Sequence, residues 1–573
     1  MNAAGLDYIL ENLAPDLIIN NGKVITVDKD FSFAEAVAVK DGKILAVGDR
    51  DEIENLRGPK TKTLDLKGNV LMPGINDSHL HLTWLIVSVP PYMLDLSFPK
   101  VRSLKDIREL VKEAVSKAKP GEWIVGAGWN QGIVEELAAD LNRVPNKSDL
   151  DDIAPDNPVW LREFSYHTAF ANTMALSLAG ITKDTPDPEN GKYHKDRNGE
   201  PDGYLVETAN AAIELVVPKY SMGQLTEAFN TNVGILSQYG ITSCTTASER
   251  PGDVNLYSHL YRDAFKKDAH YPIRINMMLL WGDYSLGGAY NEIKTALKEV
   301  GTATNFGNEW VKIGGIKLFG DGIPPTQTAW LNDPYPDGTY GSLVVPGGTE
   351  KEKLEELQRV VDICHDNGYQ LAVHTTGSRA VDETVAAMAR AMERAPWDAR
   401  HYILHGEFMK KESMELMGKY SIGISTQPEY LYILTDDAII RLGKEAAGNR
   451  WPLKQLLENG AIVCSSSDTP CASPDWRLGM QTAIIRESMS GVISGPHQSL
   501  TIEEAIRSYT INGAWLEHME EVKGSVEVGK YADFCVLGKD ITAIDPHEIR
   551  DTPIHMTIVG GHVVYSDGVL ETA

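Results

Sequence analysis

The sequence predicts an α/β protein: a (β/α)8 barrel of the TIM type, a small β-sandwich built from both termini, and a large insertion after the first barrel strand. Three observations predict it. Helix-then-strand units recur through the second half, the two ends share short apolar runs around turn dipeptides, and a stretch of different texture interrupts the strand count early.

The ends come first. "DLIINNGKVITVD" is two apolar runs around Asn21-Gly22, "FAEAVAVKDGKILAVGD" centres on Asp41-Gly42, and "HMTIVGGHVVYSDG" centres on Gly560-Gly561, so each reads as a tight hairpin. "GSVEVGKYADFCVLGKD" adds further strands, which makes residues 1–70 and 524–573 one composite β domain that the chain leaves and rejoins.

The barrel is read over residues 71–89 and 236–523. In "KEKLEELQRVVDICHDNGYQLAVHTTG" the residues Leu354, Leu357, Val360, Val361 and Cys364 follow helical spacing, Asn367-Gly368 stops the helix, and "YQLAVH" is a strand. "ITSCTTAS", "SIGISTQ" and "AIVCSSSD" likewise follow helix stops. With "INDSHLH", "IRINMMLLW", "VKIGGIKLFGDG" and "HYILH" the count reaches eight, provided residues 90–235 are set aside. That insertion, rich in aromatics and turns, leaves from the C-terminal end of the first strand, where barrel active sites lie, and is placed to cover the site.

Composition narrows the function. With 573 residues, 42% hydrophobic and 23% charged, the chain is that of a globular protein of several units, and no apolar run approaches the ~18 residues of a membrane span. A net charge of −26 would repel nucleic acid and anionic membranes, so a small neutral or cationic partner fits better. The opening "MNAAGLDYILENLAPD" lacks a leader, and five cysteines without a Cys-x-x-Cys pair argue for free thiols in a cytoplasmic, reducing setting.

Six polar residues fall at the C-terminal ends of the strands: His79 and His81 on the first, Lys317 on the fourth, His374 on the fifth, His405 on the sixth and Asp468 on the eighth. Alternate residues of a strand share a face, so His79 and His81 can converge on one ion. Singly, each has a plainer reading. An isolated His-x-His is compatible with a half-buried strand, Lys317 with a desolvated base or an ion-pair partner of Asp321, and Asp468 with a strand-end cap. Jointly, the six point to a metal centre. His401 opens its strand at the barrel's bottom and reads as structural.

The sequence resembles the amidohydrolase superfamily, and within it the YtcJ-like metal-dependent hydrolases of amidohydrolase family 3. The resemblance rests on "PGINDSHLHL", "AGWNQG", "HTAFANTMAL", "DGYLVET", "IKLFGDG", "LAVHTTGSRAVD", "RHYILHGE", "SSDTPCASPDW" and the closing "GSVEVGKYADF", and covers nearly the whole chain. It implies one or two divalent ions, Zn with Mn or Fe as alternatives. His79, His81 and Asp468 would hold the buried ion, His374 and His405 the exposed one, and Lys317, carboxylated by CO2, would bridge them. The chain departs from the family pattern at Ser378, where an acidic residue is common, and at Pro324-Pro325, where small or hydroxyl residues are usual.

The implied reaction is hydrolysis of a non-peptide C–N bond, in an amide, N-formyl or N-acyl compound, cyclic amide or carbamate, by metal-activated hydroxide. Asp468 serves as base and then acid, the exposed ion or a nearby imidazole polarises the carbonyl, and Asp468 and His405 are the expected catalytic residues. Trp129, His167 and Glu207 in the insertion, with Asp321 on the barrel, are the expected substrate contacts, each with a structural alternative. Cys244, Cys464 and Cys471 read as space-fillers. A homodimer is implied by the family. The alternatives are a deaminase or metal-assisted isomerase on the same barrel, or a non-catalytic binding homologue.

Overall fold

A computed structural model describes residues 13–140, 143–266, 269–281, 289–300, 303–335 and 337–571. The first twelve residues, on which the expectation about a leader rests, lie outside them.

Eight parallel strands form the barrel, here β1 (Ile75–Leu80), β2 (Ile241–Glu249), β3 (Arg274–Leu279), β4 (Val311–Phe319), β5 (Gln370–Thr375), β6 (Tyr402–His405), β7 (Gly423–Thr426) and β8 (Val463–Ser465). Each pairs with the next in chain order. These are the eight runs expected from the sequence. Helices outside and side chains inside bury both faces, which is why the strands read as nearly unbroken runs of apolar and small residues with polar groups gathered at their C-terminal ends. The helix Glu350–Asp366 shows how each unit is punctuated. Thr349 and Glu352 form a capping box at its start, Leu357, Val360, Val361 and Cys364 are buried, and Gly368 at φ 76° turns the chain into β5.

Two sheets made from both ends of the chain pack face to face around Leu17, Ile19, Val37, Phe534, Val536 and Ile558. The Asp41-Gly42 and Gly560-Gly561 turns are hairpins as read, with Lys40 opposite Lys43 and Val559 opposite His562. Asn21-Gly22 is not. Leu17–Asn20 lies in one sheet and Lys23–Ile25 in the other, so the dipeptide crosses between layers. Segments Lys62–Asp65 and Val70–Pro73 run parallel beside them and cross in the same way, and backbone bonds from Leu66 to Asn20 and from Lys23 to Asn69 hold the double crossing. Asn21, at φ 58°, supplies the left-handed residue that either path would need, so the local signal could not separate them.

The insertion carries its own six-stranded sheet, from Leu94–Asp95 to Pro201–Glu207. The helix Met222–Asn232 packs against the barrel helices Leu82–Val87 and Pro251–Leu260. No helix among the described residues is long and apolar enough to cross a membrane, and all five cysteines are free and buried.

At the opposite end of the barrel His401 is buried as expected of a structural residue. The Leu371 N–H donates to its Nδ1 at 3.0 Å, so its proton sits on Nε2 and faces His365 Nδ1 at 2.9 Å, and His365 Nε2 donates to the Ala395 carbonyl at 2.7 Å. Accepting from Leu371 requires His401 to be neutral. Burial pushes the His401 pKa from 6.5 down to about 3. The unfolded chain therefore takes up this proton first on acidification, so the stability His401 contributes is whole above pH 6.5 and lost between there and pH 3, on the order of 2 kcal/mol by pH 5. His401→Gln is expected to lower Tm at pH 7.5, with the gap to the parent narrowing at pH 5 in thermal melts.

Candidate active site

His79 is 1% exposed, points into the barrel from β1, and is followed two residues later by His81 just past the strand. Asp468 lies three residues beyond β8 with φ 61°, and His405 ends β6 with φ 68°. Left-handed backbone at a non-glycine residue costs on the order of 1–3 kcal/mol, and here two such residues aim side chains at one point. Trp451 braces the second, its ring N–H donating to the His405 carbonyl at 3.1 Å.

The donors converge. Asp468 Oδ1 lies 3.1 Å from His79 Nε2 and 3.3 Å from His81 Nε2, while the His374 and His405 rings are 4.5 Å apart and the His79 and His405 rings 5.4 Å. Neither His79 nitrogen nor Asp468 Oδ1 makes a hydrogen bond, although all three atoms are buried. Such orphaned atoms are costly unless something outside the protein satisfies them.

Neighbouring groups set the proton positions. His81 Nδ1 faces the Ala247 carbonyl at 3.2 Å, and His374 Nε2 faces the Gly322 carbonyl at 3.2 Å. Gln427 donates its amide N–H to Ser466 Oγ at 2.9 Å, which turns its oxygen toward His405 Nδ1 at 2.8 Å. A carbonyl can only accept, so each of these three rings carries a proton on the named nitrogen and turns the other toward the cluster. Burial lowers the pKa of His79 to about 3 and of His405 to about 4, and holds His374 well below the usual value. Burial works against charge on Asp468 too, but the attraction of its imidazole neighbours, His79 foremost, keeps its pKa well below the ordinary range. Neutral imidazoles beside an ionised carboxylate are the donor set a divalent ion takes, and His79, His81 and Asp468 present ligand atoms within 4.8 Å of one another.

Lys317, 1% exposed, has its Nζ 4.7 Å from the Phe319 ring, and no carboxylate pairs with it among the described residues. Burial lowers its pKa from 10.5 to about 7. The donors floor a cavity of about 250 Å³ whose remaining walls include Trp84, Phe164, Phe319, Leu434 and Trp451.

The lid supplies His167, whose Nδ1 meets Glu207 Oε2 at 2.6 Å. Glu207 also accepts from Thr326 at 2.9 Å and Thr328 at 2.7 Å, both on the barrel loop after β4. Burial opposes charge on this pair, but mutual attraction prevails, raising His167 and lowering Glu207. Asp321 accepts from the backbone of Thr376, Trp330 and Gly377 at 2.8–2.9 Å and lines an adjoining cavity of about 220 Å³ together with Glu207. Its oxygens are committed to holding loops.

Trp129 is elsewhere. It is 0% exposed, donates to the Leu161 carbonyl at 3.1 Å and packs edge-on against Phe170 inside the insertion, so the expected substrate contact is corrected to a core role. The His405 Nδ1–H is spent on Gln427, which leaves the other ring nitrogen facing the cluster as an acceptor.

Sequence reasoning missed Tyr430, whose hydroxyl donates to Asp468 Oδ2 at 2.9 Å, and Gln427. Both follow β7, the one strand among the last five from which no candidate was taken, so the strand-end criterion extended to "STQPEY" would have found them. Trp84, stacked 4.3 Å from His81 and 5.3 Å from Tyr166, carried no motif signal. Gln427→Leu is expected to free the His405 ring and weaken metal binding ~10–100-fold, measured by competition with a chelator.

The amidohydrolase family profile matches residues 62–565. The YtcJ protein of Bacillus subtilis (strain 168) is 29% identical over 554 residues, 96% of this chain and 99% of that protein. An N-substituted formamide deformylase of Arthrobacter pascens is 26% identical over 555 residues, 96% of this chain and 98% of that one. In fold, an uncharacterized metal-dependent hydrolase from Pyrococcus horikoshii OT3 aligns with TM-score 0.70 at 23% identity, over 93% of this chain and 99% of that chain.

Proposed function

The chain belongs to the amidohydrolase family, and from that premise we propose that it hydrolyses a C–N bond outside peptides, in an N-formyl or N-acyl amine, a cyclic amide or a carbamate. The observation that carries this reading is the convergence of His79 Nε2, His81 Nε2 and Asp468 Oδ1, with no hydrogen bond to His79 Nε2 or Asp468 Oδ1. The formamide deformylase among its relatives supports the bond type.

His79, His81 and Asp468 would hold one divalent ion, zinc by the imidazole-rich donor set, with His374 and His405 toward a second. When bound, such an ion acts as a Lewis acid and makes water acidic near neutral pH. The protein's own groups do the rest. Asp468 is the base for the attacking water and returns the proton to the departing nitrogen, and the Tyr430 hydroxyl on Oδ2 fixes its rotation. His167, favoured as imidazolium by Glu207, offers the substrate carbonyl a donor from the lid. The apolar walls exclude bulk water and receive an apolar substituent.

Lys317 fits a bridging carbamate. A buried amine whose pKa is lowered to about 7 has a substantial neutral fraction near neutral pH, and its lone pair can add to CO2 with loss of a proton. The product replaces a cation beside the ion site with an anionic oxygen donor.

Protein supplemented with zinc, manganese or iron and screened against N-substituted formamides, N-acyl amines and cyclic amides is expected to release amine and carboxylate. Ammonia from a heterocycle, or a metal-free protein indifferent to chelators, would overturn the reading. Lys317→Ala is expected to lose metal and activity, with partial rescue by a short carboxylic acid plus metal. Asp468→Asn should abolish turnover.

A further inference from the structure

The ring of barrel strands has one seam. β1 and β8 stand at the two ends of the strand order, and the three converging donors straddle the gap, with His79 and His81 on one side and Asp468 on the other. No ladder sets their spacing. We propose that Asp77, acting through Ser467, is the positioning residue that fixes the metal centre across this seam, an inference that rests on the metal reading of the site.

Asp77 lies two residues before His79, on the stretch where the pairing of β1 with β2 is irregular, and it is 2% exposed. Its Oδ1 accepts from the Ser467 N–H at 3.1 Å and its Oδ2 from the Ser467 hydroxyl at 2.6 Å. That hydroxyl accepts in turn from the Thr469 N–H at 3.0 Å. One carboxylate thus grips the residues on both sides of Asp468, the residue whose backbone is left-handed. With the flanks held, the Asp468 N–H reaches the His79 carbonyl at 2.9 Å and the His81 N–H reaches the Thr469 carbonyl at 2.8 Å. These two bonds stitch the ligand-bearing loops to each other. Relaxing Asp468 to an ordinary φ would relieve strain and carry Oδ1 away from the imidazoles, and the Asp77 clamp opposes that relaxation.

Asp77 itself is no ligand. Both its oxygens are engaged by Ser467, and it does not line the cavity. A second tie crosses the seam one layer lower, where the Ser78 hydroxyl meets Ser425 Oγ at 2.7 Å and the Ser465 carbonyl at 3.1 Å. It touches neither flank of Asp468 and provides the control.

The test compares the parent with Asp77→Asn, Ser467→Ala, Ser467→Thr and Ser78→Ala. Each is loaded with cobalt(II) for its visible ligand-field spectrum and titrated with zinc against a chelator, and folding is followed by circular dichroism. Asp77→Asn and Ser467→Ala are expected to keep the parent fold, lose ~10–100-fold in zinc affinity and change the cobalt spectrum. Ser467→Thr, which keeps the hydroxyl, and Ser78→Ala are expected to stay near the parent. Should Asp77→Asn fail to fold, Ser467→Ala decides. Parent-like affinity and spectrum in Ser467→Ala, or equal losses in Ser78→Ala, would overturn the proposal and leave the metal reading intact. A parent that takes up neither metal overturns both.

Discussion

The structure turns on buried lone pairs that the protein brings together and leaves partly unmet. A buried polar atom without a partner costs on the order of 1–3 kcal/mol, and folded chains pair nearly all of them. Here His79 Nε2 and Asp468 Oδ1 sit 3.1 Å apart, both without a hydrogen bond. Two left-handed residues are spent on aiming His405 and Asp468 at the same place. Strain at His405 and Asp468 coincides here with unmet polarity at His79 and Asp468, while polar groups a few ångströms away are satisfied through Gln427, Ser466, Ala247 and Gly322, which is the arrangement of a site shaped for a ligand.

Much of this was legible in the residues. Barrel strands announce themselves because both faces are buried, so a short apolar run after a helix stop can only be an inner strand, and a histidine or aspartate at its end can only face the mouth. What was not legible depends on pairing at a distance. Asn21-Gly22 has the chemistry of a hairpin turn, and only the parallel segment Lys62–Pro73 beside it shows that the chain crosses between sheets. Trp129 sits in a motif of the lid, yet which face of that lid looks at the barrel is decided by packing against Phe170 and Leu161. The proton positions on the imidazoles are set by carbonyls far along the chain, and no spacing rule reports those.

The lid is tied to the barrel through chemistry as well as shape. Glu207 bonds at once to His167 on the insertion and to Thr326 and Thr328 on a barrel loop, so one carboxylate places the imidazole and docks the sheet that carries it. On the other side, Trp84 lies between His81 and Tyr166, stacked on each. The insertion therefore contacts the donor cluster from two directions, and its register over the cavity is coupled to the positions of the donors beneath.

The two lysines of β4 show what is distinctive about the mouth. Lys312, near the strand's start, is buried and partnered: its Nζ donates to Asn305 Oδ1 at 2.9 Å and to the Glu517 carbonyl, and burial lowers its pKa from 10.5 to about 8. Lys317, five residues on, is buried more deeply, reaches about 7, and has no carboxylate partner among the described residues. The same strand thus satisfies one ammonium and withholds satisfaction from the other. A positive lysine would repel a dication held a few ångströms away, and the more strongly the less water lies between them. Under the proposed metal reading the lysine at that position would lose its charge or reverse it, and of the two only a carbamate would place an anionic oxygen beside His374 and His405.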